Sequence, residues 1–180
     1  MLKIKLIVGL CFLLWHLPLQ ANVFSNTFDN MQKTLYSPQK DLYLPFFTWH
    51  ARSTYDDYRI ASYNESPGGI GFGKSYWDEK NNWHGIYAMA FRDSHNSWKP
   101  IIGYGWEYIW FLDGNQDFHA GLGYTAGVAT RRSWGWRPLP IILPITSVGY
   151  KKVSVQMAYI PWIGQNSGNI WFFWVRVNLI

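Results

Sequence analysis

The sequence predicts an all-β fold: an eight-stranded antiparallel transmembrane β-barrel with an N-terminal amphipathic helix. Three observations predict it. Beyond Leu42, hydrophobicity alternates with a period of two in segments of about ten residues separated by Asp, Asn, Gly and Pro turns. Tilted strands of ~9 to 11 residues are what a barrel needs to cross a bilayer. The composition is 48% hydrophobic and 19% aromatic with only 15% charged residues, against roughly 25% charged in soluble domains. A mean hydropathy of −0.15 shows polar residues mixed among the apolar ones, the mark of a barrel with aromatic girdles and not of a helical membrane protein. The third observation is an export signal at the N-terminus.

That signal occupies residues 1–21. Lys3 and Lys5 precede an apolar run from Leu6 to Trp15, and the small residue Ala21 closes the stretch, the order of a secretory signal peptide with cleavage after Ala21. The run is shorter than the ~20 residues of a membrane-spanning helix. Its removal also removes the lone Cys11, so the exported chain has no thiol chemistry. Residues 22–41 form the helix and a linker. Phe24, Phe28, Met31 and Leu35 are spaced by four, three and four and share one helical face. Such a face either packs on a core or lies in the membrane interface.

Residues 42–180 form the barrel. Its strands are expected from Tyr43 to Ser53, from Ile70 to Trp77, from His84 to Phe91, around Ile102 to Tyr108, from Phe118 to Val128, from Leu139 to Val148, from Lys152 to Tyr159 and from Trp171 to Leu179. The last is the clearest: Trp171, Phe173, Val175, Val177 and Leu179 form one apolar face, with Arg176 and Asn178 among the alternate positions. In the seventh, Val153, Val155, Met157 and Tyr159 oppose Lys152, Ser154 and Gln156. In the fifth, an apolar face from Phe118 to Val128 opposes His119, Gly121, Gly123 and Thr125. Ile102, Tyr104, Trp106 and Tyr108 stand against Gly103, Gly105 and Glu107, and Tyr87, Met89 and Phe91 against His84 and two alanines. On this parity His84, Gly103, Gly105, Glu107, Gly121 and Gly123 face the lumen, where glycines leave an empty lane. A secreted sandwich or lipocalin-like barrel alternates in the same way. The aromatics at strand ends, Trp106, Tyr108, Trp110, Trp171 and Trp174, favour the membrane.

Several function classes are excluded. A net charge of +5, scattered along the chain, is no nucleic-acid-binding stripe. One cysteine cannot make a disulfide framework or a cysteine-rich zinc site, and no His pair stands at the spacing of a helical metalloprotease. Neither metal nor cofactor is expected. Gly68 to Ser75 satisfies the nucleotide-cradle pattern literally, but a cradle needs a buried strand before it and a helix after it. Here Tyr76, Trp77 and Asp78 lead into a turn, so the glycines read as strand positions.

Reactive side chains collect at strand ends, in Thr48-Trp49-His50-Ala51-Arg52 and in Arg92-Asp93-Ser94-His95-Asn96. A hydroxyl beside a carboxylate, with a histidine that a barrel can bring alongside, is a possible nucleophile or proton-transfer set for acyl transfer. A polar loop would carry such residues as well.

At these residues the sequence resembles the PagP family of outer-membrane lipid A palmitoyltransferases. The likeness lies in Thr48-Trp49-His50-Ala51-Arg52, Tyr63-Asn64-Glu65, Gly71-Phe72-Gly73, Trp77-Asp78-Glu79-Lys80, Asn82-Trp83-His84-Gly85, Tyr87-Ala88-Met89-Ala90-Phe91, Asp93-Ser94 and Gly103-Tyr104-Gly105-Trp106-Glu107, and it continues through Ser147-Val148-Gly149-Tyr150. The final strand departs from the pattern by ending Leu179-Ile180, and so does the loop from Phe111 to Asp117. The resemblance implies transfer of a palmitoyl chain from the sn-1 position of a glycerophospholipid to a hydroxyacyl chain of lipid A, by a monomer in the outer membrane of a Gram-negative cell. It implies His50, Asp93 and Ser94 as catalytic residues, with His50 the base for the acceptor hydroxyl, Asp93 and Ser94 orienting it or stabilising charge, and an acyl-Ser94 as an open variant. It implies Gly105 as the floor of an acyl pocket, to which Gly103 and His84 add lining by the parity above. It also implies Pro45, Pro67, Pro144 and Pro161 as sites of weakened strand pairing where lipids pass, since proline cannot donate to a ladder. A non-catalytic adhesin or structural barrel and a lipid A deacylase are the alternatives.

Overall fold

The computed structural model describes residues 21–130, 135–162 and 168–180; the leader proposed for residues 1–21 lies outside them but for Ala21. Helix α1 (Ala21–Tyr36) is followed by strand β1 (Lys40–His50), a short helix α2 (Asp57–Ser62), and strands β2 (Gly69–Trp77), β3 (Trp83–Arg92), β4 (Trp98–Phe111), β5 (Phe118–Ala129), β6 (Leu139–Tyr150), β7 (Val153–Ile160) and β8 (Ile170–Asn178). Each strand pairs antiparallel with the next, and β8 closes on β1. The eight strands predicted from periodicity are all present. Short turns join them at one end, with residues in left-handed conformation at Asn81, Gln116 and Lys151. Longer loops join them at the other, apart from the tight 93–97 turn.

Burial alternates along the strands as a membrane barrel requires. Ile142, Ile102, Val148 and Phe72 are 60 to 75% exposed on the outer surface, where only lipid can cover them. The interior is divided. Its loop-side half is apolar, with Met89, Phe91, Ile101 and Phe172 buried. Its turn-side half is polar: Gln156 Nε2 donates to Glu107 Oε2 at 2.7 Å, and Trp174 Nε1 donates to Gln156 Oε1 at 2.9 Å. Arg176 Nη2 donates to Ser154 Oγ at 3.1 Å, and its guanidinium lies 4.7 Å from the centre of the Trp83 ring. Trp174, read as interfacial from its sequence position, is in fact interior and 3% exposed.

The division of the lumen explains one reversed expectation. Register pairs Tyr87 with Gly103, Gly85 with Gly105 and His84 with Trp106. Directly paired residues share a face, so Tyr87, Met89 and Phe91 point inward and His84 points outward. Where the lumen is as apolar as the lipid, alternation on one strand carries no sign. His84 is buried on the outside of the barrel, with Nδ1 2.7 Å from the Tyr104 hydroxyl and Nε2 3.2 Å from Asp78 Oδ2. It does not line the lumen.

Helix α1 packs over β2 and β3 on the same outer face. It ends where Pro38 bars the preceding residue from helical backbone, and Lys74 Nζ caps it by donating to the Leu35 carbonyl at 2.7 Å, a cation on the negative end of the helix dipole. Thr34 is fully buried against the barrel, while Phe28 and Leu35 are exposed. Phe28 and Leu35 of the apolar stripe therefore face away from the barrel, which supports the interfacial reading of this helix.

Candidate active site

The loop-side end of β1 delivers His50, the turn between β3 and β4 delivers Ser94, and the segment between α2 and β2 delivers Glu65. Asp93 shapes the turn: its Oδ1 accepts the backbone N–H groups of His95 at 2.9 Å and Ser97 at 3.0 Å. Asn96 takes a left-handed conformation with φ 59°, one that asparagine adopts more readily than most residues. The long segment after β1 is stitched across the barrel mouth. Past Tyr43, β1 no longer pairs with β2. Instead the Thr48 N–H donates to the Glu65 carbonyl at 2.9 Å, and the Asn64 N–H donates to the Ser94 carbonyl at 2.9 Å.

These connections assemble a linear set of polar atoms. His50 Nε2 lies 2.8 Å from Ser94 Oγ, and His50 Nδ1 lies 3.0 Å from Glu65 Oε1. The His50 backbone N–H also donates to that carboxylate oxygen at 3.1 Å. Arg52 grips the carboxylate with both terminal nitrogens, Nη1 to Oε1 at 2.6 Å and Nη2 to Oε2 at 2.8 Å, the two-pronged geometry that suits guanidinium and carboxylate. The Arg52 guanidinium holds the Glu65 carboxyl down to a pKa of about 2. Tyr63 leans on the His50 ring with centroids 4.7 Å apart, and Tyr55 meets it edge-on at 5.4 Å. The imidazole is only 1% exposed and has little freedom to turn.

This set stands at the mouth of a cavity of about 450 Å³ that runs into the apolar half of the barrel. Met89, Phe91, Leu143 and Phe172 line its walls, and Tyr87, Thr125 and Trp174 line it toward mid-barrel. Tyr87 and Thr125 join hydroxyls at 2.6 Å. The lane of lumen glycines is therefore not empty. A Cβ at Gly103 would lie 2.6 Å from the Tyr87 hydroxyl oxygen, and one at Gly105 would lie 2.9 Å from Trp83 Cζ3. Tyr87 covers Gly103 and Trp83 covers Gly105, so both glycines sit behind aromatic rings and not at the cavity surface.

The four prolines fall beside interrupted ladders. The β1–β2 ladder runs only from Lys40 with Lys74 to Tyr43 with Gly71, and Pro45 follows at a register shift in β1. The β6–β7 ladder stops at Ile145 with Ala158, immediately before Pro144 on one strand and two residues before the end of the other, where Pro161 follows. Pro67 is fully buried in the segment leading into β2. Of the sequence-derived residues, the fold joins His50 with Ser94, places Asp93 in the supporting turn and removes His84 to the outer surface. Glu65 and Arg52 lie within the blocks that carry the family resemblance, but nothing in the sequence gives them a role.

A closed barrel with an apolar exterior, a hollow apolar half and a Ser–His pair with a buried imidazole at its mouth defines an integral membrane protein of enzymatic type. A model of the family described as "Antimicrobial peptide resistance and lipid A acylation protein PagP" matches residues 30–176. The chain is 52% identical over 158 residues to the "Lipid A acyltransferase PagP" of Shigella boydii, covering 87% of this chain and 84% of the relative. It is 51% identical over 157 residues to the protein of that name from Enterobacter lignolyticus, with 87% and 82% covered. It is 52% identical over 158 residues to the "Lipid A palmitoyltransferase PagP" of Escherichia coli K12, with 87% and 84% covered. The chain belongs to the PagP family.

Proposed function

We propose that this protein is a lipid A palmitoyltransferase of the Gram-negative outer membrane. It moves a palmitoyl chain from the sn-1 position of a glycerophospholipid to a hydroxyacyl chain of lipid A. The observation that carries this reading is the 2.8 Å contact of His50 Nε2 with Ser94 Oγ at the open end of an apolar cavity. A saturated chain leaving the bilayer finds an equally apolar slot there, and its ester carbonyl is left at the mouth.

In the first step Ser94 Oγ attacks the donor carbonyl carbon while His50 takes the hydroxyl proton. The bond to the glyceryl oxygen breaks, and that oxygen leaves as an alcohol with the proton from His50. In the second step the acceptor hydroxyl attacks the acyl-Ser94 ester, His50 takes its proton and returns it to Ser94. Asp93 serves by holding the turn that presents Ser94. No step calls for a cofactor or a metal. Interrupted pairing beside Pro45 and Pro67, and beside Pro144 and Pro161, supports lateral passage of the two lipids between barrel and bilayer. Closure of the sheet leaves no free strand edge, in keeping with a monomer.

Mass spectrometry of lipid A from cells lacking and expressing the protein tests the function. The expected result is the gain of one palmitoyl chain. Loss of a chain would make the protein a deacylase, and no change would make it a non-catalytic barrel. His50→Ala and Ser94→Ala are expected to abolish the gain in barrels that remain folded.

A further inference from the structure

We propose that Glu65, held by Arg52, is the positioning residue that fixes which nitrogen of His50 carries the proton, and so makes Ser94 the group His50 deprotonates. The proposal rests on the acyl-transfer reading of the His50 and Ser94 pair. The inventory of donors leads to it. A carboxylate can only accept, and Glu65 Oε1 already accepts from the His50 backbone and from Arg52 Nη1. Its 3.0 Å contact with His50 Nδ1 is a hydrogen bond only if Nδ1 bears hydrogen. A neutral imidazole has one ring hydrogen, so Nε2 is then a bare acceptor 2.8 Å from Ser94 Oγ, whose own hydrogen points to it. When His50 takes that hydrogen, the imidazolium formed faces a fixed negative charge.

Arg52 explains why the carboxylate stays ionised and in place. The fork is planar and rigid. It draws Glu65 toward β1, where the backbone N–H of His50 completes the grip. Without the charge of Glu65 the buried ring could as well carry its hydrogen on Nε2, donate to Ser94 and leave the hydroxyl without a base. Replacing a carboxylate by its amide in the same geometric role lowers kcat by about 10⁴ in a serine protease, through the wrong tautomer. The partial exposure of Glu65 at the barrel mouth points to a smaller loss here, on the order of a hundredfold or more.

The experiment uses the full-length exported protein, folded in detergent, in three forms: unchanged, Glu65→Gln and Glu65→Asp. Transfer from a dipalmitoyl phospholipid to lipid A is followed, and the imidazole nitrogens are observed by 15N NMR. The expected results are a fall in kcat of at least about a hundredfold for Glu65→Gln with KM changed less than about threefold, and partial recovery in Glu65→Asp. The ring hydrogen of His50 should sit on Nδ1 in the unchanged protein and on Nε2 in Glu65→Gln. Full kcat in a folded Glu65→Gln barrel overturns the proposal, as does an Nε2-protonated His50 in the unchanged protein, a result that needs no variant to fold. His50→Ala and Ser94→Ala separate the two levels: if either keeps full activity the acyl-transfer reading fails, whereas their inactivity with an active Glu65→Gln removes Glu65 alone.

Discussion

Glu65 links the chemistry to stability through its protonation. Its folded pKa of about 2 lies below the ordinary 4.5 because Arg52 and His50 hydrogen-bond the charged form. A depressed carboxyl contributes stability that is fully present above the unfolded value and is lost as pH falls toward the folded one. The advantage of the unchanged protein over Glu65→Gln, read from thermal unfolding in detergent, should therefore be constant above pH 4.5 and shrink between 4.5 and about 2. The glycines give a second residue-scale prediction. Gly103→Ala must displace the Tyr87 phenol from its bond to Thr125, and the free volume beside it is the cavity. Gly105→Met displaces Trp83 in the same way. Both should shift donor preference from palmitoyl toward shorter chains, because a close-packed interior does not yield the volume that terminal methylenes need. Transferred-chain masses from phospholipids of graded length would show this, and an unchanged palmitoyl preference would place the limit elsewhere. The sequence named His50, Asp93 and Ser94 through their likeness to a family, but a likeness gives no partners. Glu65 lies fifteen residues from His50 along a segment whose path depends on hydrogen bonds to β1 and to the 93–97 turn, and no local periodicity encodes that path.

At the scale of elements, the ladders matter most where they stop. Continuing the β1–β2 register past Tyr43 and Gly71 sets Leu44 opposite Ile70, both on the outer face. A disulfide in Leu44→Cys/Ile70→Cys would pin that gap without touching the cavity. If lipid passes there, acyl transfer by the oxidised double variant should fall by tenfold or more and recover on reduction; equal rates in the two states would exclude this route. The strands themselves were legible because period-two alternation and turn residues are local signals. The facing of β3 was not, since its inner residues line an apolar lumen and only pairing with β4 orients them. The glycines misled for a related reason: a glycine shows that space exists, but the ring that fills it comes from the adjacent strand.

For the whole molecule, the outer surface decides the solvent. Phe173, Val175 and Val177 lie on the lipid side of β8, between the inward Phe172, Trp174 and Arg176. The barrel should fold in detergent or bilayer and not in plain buffer. Val175→Arg, near the middle of its strand, should cost about 2 to 4 kcal/mol, measured by denaturant unfolding from vesicles. A folded monomer in detergent-free buffer would contradict the membrane assignment. Overall architecture was the most legible level, because composition and alternation act together over the full length.

The polar half of the lumen has an electrical consequence. A cylinder through a membrane is a potential short circuit, yet here Glu107, Gln156 and Trp174 form a bonded chain across the bore, and Arg176 lies over Trp83 beside it. Polar side chains hydrogen-bonded to one another across the interior leave an ion no free path. Planar bilayers holding the protein should stay at baseline current under applied voltage, and Glu107→Ala/Arg176→Ala should introduce discrete conductance steps. A hollow enzyme can thus sit in a bilayer without opening a pore through it.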